Sequence, residues 1–325
     1  MIRVLSERDM EALALSDAAI RAAVEAGLQA QAEGRALAEP TTIFKPTPGR
    51  DDLIAVIKGA LRDEKLALVK TVGGFPGNDA MGLATNPGCL ILMETETGQI
   101  VSLLPAAAIT TQRTAMVTAI GAFHLARPDA RVLASIGTRG VAAQAVRYIA
   151  GAFPLDEIRI HGRDAEAAAR AAEALSRDLG VPVRTTSDWS SCLEGADIMI
   201  DGSALPGDAP LFPMEAVRPG TLVIAFGAYS AFPSDAADSF DRLVMDRWSA
   251  DGRGALGPQT KAGRVTEDGL DALIGDVVSG RGRARTSGAD RVLFVHRGVA
   301  ACDLTLAQTY LAEAGARGIG AEIPF

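Results

Sequence analysis

Metal-ligating and disulfide-forming side chains are scarce in this chain of 325 residues. Its three cysteines (Cys89, Cys192, Cys302) and three histidines (His124, His161, His296) stand far apart, with no C-x-x-C pair. That spacing argues against a disulfide framework or a zinc site and fits a reducing cytoplasm. No apolar run approaches the ~20 residues needed to span a bilayer. The opening "MIRVLSERDMEALALS" carries acids early and has no signal-peptide core. Positive charge is in deficit, with a net charge of -8, so nothing draws the chain generally to nucleic acid or an anionic membrane. The motifs G-x-x-x-x-G-K-[ST], G-x-S-x-G and H-E-x-x-H are absent as well. A soluble cytoplasmic protein with a small-molecule partner is expected.

The length exceeds what one compact core usually spans, so two domains are expected. Residues 6 to 33 repeat apolar and charged positions at helical spacing, and Ser16-Asp17 restarts the pattern as a cap. From 40 to 104 the chain reads as strands: "TTIFKP", "LIAVIKGAL", "LALVKTVGGF" and "CLILMETETGQIVSLL", with "ETETGQ" as a hairpin turn. Residues 108 to 126 read as a helix ended by Pro128. Beyond Ala130 come short apolar strands: "RVLASIG", "EIRIHGR", "VPVRTTS", "DIMIDGS", "GTLVIAFGA" and "RLVMDRW". Alanine-rich helical stretches separate the earlier ones. Such alternation implies a parallel sheet with helices on both faces, its ligands bound beyond the carboxyl ends of the strands. The loops after Ile136, Ile160, Ile200 and Phe226 would then surround one crevice.

The stretch "VLASIGTRGVAAQAVRYI" (132–149) is a strand, a glycine turn and a helix beginning near Ala142. This context favours nucleotide binding, with phosphate on the helix N-terminus. Arg139 occupies the place of the second glycine of G-x-G-x-x-G/A. Two registers fit: Gly137-Thr138-Arg139-Gly140-Val141-Ala142 as G-x-R-x-x-A, or Gly137, Gly140 and Ala143 as G-x-x-G-x-x-A. In either, the Arg139 guanidinium suits a phosphate. At the end of the second strand an NAD site places an acid on the ribose. Here Gly162 stands there and Arg163 follows, which favours a 2′-phosphate and hence NADP over NAD. Alternatively, Arg163 is a solvated residue at a helix start capped by Asp164.

"VKTVGGFPGN" (69–78), "TTQRTAMVTAIGAFHLARPDAR" (110–131) and "GDVVSGRGRARTSGADRVLFVHRGVAACDL" (275–304) together resemble the ornithine cyclodeaminase/mu-crystallin family. The resemblance implies an α/β fold: a Rossmann-type doubly wound parallel sheet plus an N-terminal α+β substrate and dimerisation domain completed by the C-terminal helix. Residues 1–118 with 303–325 would form the latter and 119–302 the former. It also implies a homodimer, a nicotinamide cofactor (NADP or NAD) and chemistry through an imine at an amino-acid α-carbon.

Lys70 matches the family's substrate lysine. Independently, "LALVKTV" puts a lysine inside an apolar strand, which requires an anion. A substrate carboxylate would serve, and a lysine snorkelling to water is the alternative. Arg113 matches an arginine between substrate carboxylate and nicotinamide, with a structural ion pair near the start of an otherwise apolar helix as the alternative. Thr85 matches a polar residue near the cofactor, or belongs to a plain turn. Gly298 and Asp303 match a glycine turn and an acid near the last helix, which Asp303 would also suit as a cap. His296, where relatives often have a small hydroxyl residue, either approaches the cofactor or packs at the turn.

Departures from the family pattern bear on the reaction. The catalytic aspartate is replaced by Tyr229 in "IAFGAYSAFP". An arginine in the first strand region is replaced by Thr41, with Lys45 on the same face of an extended strand. Pro233 stands for a lysine, and a threonine-rich turn is "DGSALPG", with Asp201 and Ser203. Cyclodeamination needs a carboxylate to handle protons, and tyrosine, with a reference pKa near ~10, is a poor base. Its hydroxyl can still give an imine one proton. The expected activity is therefore NAD(P)-dependent reduction of a small α-imino acid, as a ketimine reductase or amino-acid dehydrogenase. Lys70 and Arg113 would hold the carboxylate, and Tyr229 would donate the proton. Alternatives are an ornithine cyclodeaminase with bound NAD and a non-catalytic binding protein.

Overall fold

A computed structural model describes residues 1–203, 211–227, 231–249 and 251–324. In chain order the elements begin with β1 (Ile2–Val4), α1 (Glu7–Leu13), α2 (Asp17–Ala32), β2 (Ala36–Ala38), β3 (Thr42–Phe44), β4 (Leu53–Leu61) and β5 (Leu66–Gly74). There follow β6 (Gly88–Glu94), β7 (Ile100–Pro105), α3 (Ala106–Leu125), β8 (Val132–Ile136), α4 (Gly140–Ala150), β9 (Glu157–His161) and α5 (Ala165–Leu179). Next are β10 (Val183–Thr185), α6 (Trp189–Leu193), β11 (Ile198–Asp201), β12 (Leu222–Phe226), β13 (Arg242–Met245) and α7 (Gly257–Lys261). The chain ends with β14 (Ala272–Leu273), α8 (Ile274–Val278), β15 (Val292–His296), α9 (Ala300–Arg317) and β16 (Ala321–Ile323). Contacts divide the chain into two units, Met1–Arg113 with Val299–Phe325, and Thr114–Gly298.

In the first unit a sheet runs β16-β1-β7-β6-β5-β4-β2, with β3 paired to β4. The β4–β7 strands are antiparallel, as the "ETETGQ" turn implied. Capping defines the helices. Ser6 accepts the Asp9 N–H at 3.2 Å while the Asp9 carboxylate accepts the Ser6 N–H at 2.8 Å, a reciprocal box. Ser16 caps α2 through the Ala19 N–H at 3.2 Å. Helix α2 lies so close to α9 that a β-carbon on Gly27 would come within 2.7 Å of the Cys302 Cα. Only a glycine fits there, and α9 keeps its seat because of it. Gly27→Ala is expected to cost about 1–3 kcal/mol, the usual range for overpacking, read as a fall in the midpoint of urea unfolding. An unchanged midpoint would show that the two helices can separate freely.

The second unit is a parallel sheet in the order β10-β9-β8-β11-β12-β15-β13-β14. Counting from β8, the strands step outward to one side through β9 and β10, then restart on the other at β11. The order reverses between β8 and β11, the switch point at which doubly wound sheets bind ligands. One sheet face carries Ile136, Met199, Val223 and Val295 into a core closed by Phe212 and Phe232, whose rings stack at 4.4 Å.

Three details depart from the sequence reading. Val292–His296, absent from the strands counted above, is β15 and lies buried between β12 and β13. A run of five residues is too short to give a periodic signal of its place. Helix α4 begins at Gly140, two residues ahead of Ala142, directly after an extended Arg139 at its N-cap. Strand β3 stops at Phe44, so Lys45 is not a strand-face residue; it is exposed and lies 3.4 Å from Asp51.

Candidate functional site

Strand β5 carries a lysine where its neighbours on the same face are apolar. Lys70 registers with Ile57 on β4 and Leu90 on β6, and no part of it reaches solvent. The anion it requires is internal. Lys70 Nζ donates to Asp303 Oδ1 at 2.7 Å, across 233 residues of sequence. Snorkelling is thereby excluded, and the substrate carboxylate is not the lysine's first partner. Arg113, on α3, joins the same oxygen, its Nε donating to Oδ1 at 3.1 Å. Asp303 is not the cap of α9, a place held by Val299; it lies in the first helical turn with its carboxylate turned onto the two cations.

Three buried charges thus meet, and two cations against one carboxylate leave one net positive charge. Burial pulls the Lys70 ammonium down to about 8; Asp303 opposes this and Arg113 reinforces it. Burial acts to raise the Asp303 carboxyl, but the charges of Arg113 and Lys70 and their hydrogen bonds outweigh it and hold it below its ordinary value. Lys70 and Asp303 are therefore ionised at neutral pH, and a guanidinium carries its charge throughout this range. One donor is left over: Arg113 Nη1 is buried and has no hydrogen-bond partner among the described residues. An unpaired buried donor is costly, so a ligand oxygen there would be well rewarded. Thr85, another expected site residue of this unit, is half-buried in the turn before β6. Its hydroxyl donates to Asn86 Oδ1 at 3.3 Å and its carbonyl accepts the Phe75 N–H at 2.8 Å.

In the second unit the glycine turn sits at the switch point. Gly137 has a φ of 110°, and a β-carbon on it would press within 3.2 Å of Ala142 and 3.3 Å of the Gly202 carbonyl. The Gly202 N–H in turn donates to the Ile136 carbonyl at 2.9 Å, tying the ends of β8 and β11 together. Arg139 is the N-cap of α4 yet makes no side-chain capping bond, and both it and Gly140 are exposed. Val141 is half-buried and Ala142 buried beneath the turn. Backbone N–H groups at the start of α4, beside the exposed Arg139 guanidinium, fit a pyrophosphate. Thr138 packs over the end of β9, for a β-carbon on Gly162 would lie 3.0 Å from its Cγ2 and Oγ1. The Arg139 and Arg163 loops are thus neighbours. Arg163 is exposed, and Asp164 is the N-cap of α5, accepting the Ala167 N–H at 3.0 Å.

His296 is fully buried. Its ring stacks with Phe226 and Phe294 at 5.6 and 5.3 Å, and its Nε2 meets the Thr118 hydroxyl at 2.9 Å, the packed alternative. Ser203 donates its backbone N–H to the Asp201 carboxylate at 3.0 Å. Tyr229 lies outside the described residues. Sequence reasoning passed over Asp246, whose buried carboxylate accepts the Arg297 and Gly298 N–H groups at 3.0 and 2.6 Å and so braces the turn after β15. A lone acid after a short strand carries no spacing signal.

These features coincide with a known sequence pattern. That of the ornithine cyclodeaminase/mu-crystallin family matches residues 2–315. The chain belongs to that family. The Delta(1)-pyrroline-2-carboxylate reductase of Bacillus cereus is 25% identical over 263 residues, covering 79% of this chain and 80% of that protein. The structure of Thermococcus litoralis Delta(1)-pyrroline-2-carboxylate reductase in complex with NADH and L-proline has the same fold. Its TM-score is 0.90 at 22% identity, covering 99% of this chain and 100% of that one. The iminosuccinate reductase of Paracoccus denitrificans, in complex with NAD+, gives a TM-score of 0.87 at 22% identity over 100% of this chain and 99% of that one.

Proposed function

We propose that this family member is an NAD(P)-dependent reductase of a small α-imino acid, or, in reverse, an amino-acid dehydrogenase. The observation that carries the reading is the buried Lys70–Asp303–Arg113 cluster, with its surplus positive charge and its Arg113 Nη1, which has no partner among the described residues. A carboxylate supplies the missing charge and the missing acceptor together. Arg113 would take it in a charge-assisted bond, with Lys70 adding charge from the strand side. Reductases named among the relatives favour an imine over other acids. Bound nicotinamide would supply the hydride to the imine carbon. The imine nitrogen must gain one proton, a role we assign to Tyr229. Fixing the carboxylate holds the imine carbon in one place, and such orientation removes much of the entropic barrier.

We assign the cofactor to Gly137, Thr138, Arg139, Gly140, Val141, Ala142 and Ser203, and the family resemblance adds Thr85 and Arg113; the packed His296 is left out of this set. The first unit would hold the substrate and the subunit contact of a homodimer, for which its exposed Leu37, Ile43 and Phe44 are suited. Arg163, exposed on the loop beside Arg139, favours NADP through the 2′-phosphate. Arg163→Ala is expected to lower the NADPH/NADH ratio of kcat/KM by about tenfold, near the ~1.4 kcal/mol of one charge-assisted bond, whereas Arg139→Ala, at the shared pyrophosphate, weakens both cofactors alike. An unchanged ratio in Arg163→Ala would leave NAD as the cofactor.

The test of the whole reading is incubation with NADPH and NADH against cyclic and acyclic α-imino acids, following the loss of nicotinamide absorbance. Turnover of at least one acid is expected. Ammonia release from ornithine without added cofactor, and no reduction of any imino acid, would make the protein a cyclodeaminase instead.

A further inference from the structure

The acid of the buried cluster has no place in the proposed reaction, yet both cations depend on it. We propose that Asp303 is a positioning residue: holding Lys70 Nζ and Arg113 Nε on one oxygen, it fixes both side chains and turns the guanidinium so that Nη1 is left for a ligand carboxylate. The inference rests on reading the cluster as a carboxylate site.

Geometry carries the argument. Both donors converge on Oδ1, at 2.7 and 3.1 Å, so the carboxylate acts as a hub and does not engage the guanidinium fork with both oxygens. In a planar guanidinium, Nε–H and Nη1 belong to different edges. Tethering Arg113 through Nε therefore points Nη1 away from Asp303, which agrees with its having no partner among the described residues. The hub is itself well held. Asp303 sits in the first turn of α9, where the helix dipole favours an anion, and α9 is pinned against α2 at Gly27.

Charge follows from the same arrangement. Residues paired with Lys70 on the flanking strands are Ile57 and Leu90, so its charged neighbours are Arg113 from α3 and Asp303 from α9. With Asp303 made neutral, burial and the Arg113 charge act on Lys70 unopposed, and the ammonium must lose its proton at a lower pH.

Lysines are few enough to observe one by one: Lys45, Lys58, Lys65, Lys70 and Lys261. We would label their ε-carbons with 13C and titrate the full-length wild type, Asp303→Asn and Asp303→Glu by NMR. Lys70 is expected to titrate at least one pH unit lower in Asp303→Asn than in wild type and to return upward in Asp303→Glu. Unchanged Lys70 titration overturns the proposal, whether or not the protein proves to be a reductase. Binding supplies the second arm, read by calorimetry with saturating NADPH and pyrrole-2-carboxylate, a planar ring carboxylate whose nitrogen does not titrate near neutral pH.

Should Asp303→Asn fail to fold, Lys70→Met and the Lys70→Met/Asp303→Asn double variant replace it. Removing both partners of a buried pair is far milder than removing one. The double variant is expected to bind the probe at least tenfold more weakly than Lys70→Met alone, since Arg113 has lost its tether. Equal affinity in the two overturns the proposal. A wild type that binds no carboxylate overturns the functional reading and, with it, the ligand half of this one.

Discussion

Arg113→Ala is expected to lower kcat/KM for the best α-imino acid by about a thousandfold, or ~4 kcal/mol at 1.36 kcal/mol per decade. Two losses add. The first is the charge-assisted bond to the carboxylate, and truncating one partner of such a desolvated pair costs about 2–5 kcal/mol. The second is orientation, since an imine whose acid group is loose no longer presents its carbon to the cofactor. Lysine at this position is not a conservative replacement, because a point charge cannot reproduce the planar fork. Arg113→Lys is therefore expected to recover less than a tenth of the lost activity. The fold is expected to survive: without the guanidinium, Asp303 keeps the Lys70 ammonium, and the remaining pair is neutral overall. Steady-state kinetics and circular dichroism on the same samples check both halves. Activity within tenfold of wild type in a folded Arg113→Ala protein would remove the arginine from the site.

A second large effect is set by pH. Lys70 in the folded protein lies at about 8, below its ordinary 10.5, because burial disfavours the ammonium. If its charge helps bind a carboxylate, affinity must fall as pH rises through that value. Between pH 7.5 and 9.5 the dissociation constant of pyrrole-2-carboxylate is expected to rise about twentyfold, following the fraction of ammonium lost. Stability moves the other way. The unfolded chain keeps the lysine proton up to its ordinary value, so between about 8 and 10.5 the unfolded state binds more protons than the native one. The contribution of this group to stability therefore rises with pH across that window, and the penalty of burying the charge is fully present only below about 8. Binding that weakens while this contribution strengthens is a signature no exposed lysine would give. Lys70→Met should abolish the pH dependence of binding in this range. Affinity flat from pH 7.5 to 9.5 in wild type would take the lysine's charge out of recognition.

Much of the scaffold is legible in the sequence. Ser16-Asp17 announced the start of a second helix as a cap residue, and "ETETGQ" announced a hairpin through its turn residues. Repeated short apolar strands announced a parallel sheet, and the glycine after Ile136 announced the turn at its switch point. Each signal is encoded within a few residues, where backbone preference and side-chain period act directly. For the candidate site, Lys70 and Arg113 were readable as charges embedded in apolar surroundings, a condition that demands partners wherever it occurs.

The identity of those partners was not readable. Asp303 lies 233 residues from Lys70, and only the seating of α9 against β5 and α2 brings its carboxylate to the lysine. As a sequence feature it was an acid near a helix start, which suits a cap equally well. The central place of β15 and the bracing role of Asp246 were hidden for the same reason. Local sequence determined which segments became helix, strand and turn, because those choices are made by neighbours along the chain. Tertiary structure alone decided which charges meet and which donor is left over, because pairing across hundreds of residues depends on register and close packing, and spacing does not record either.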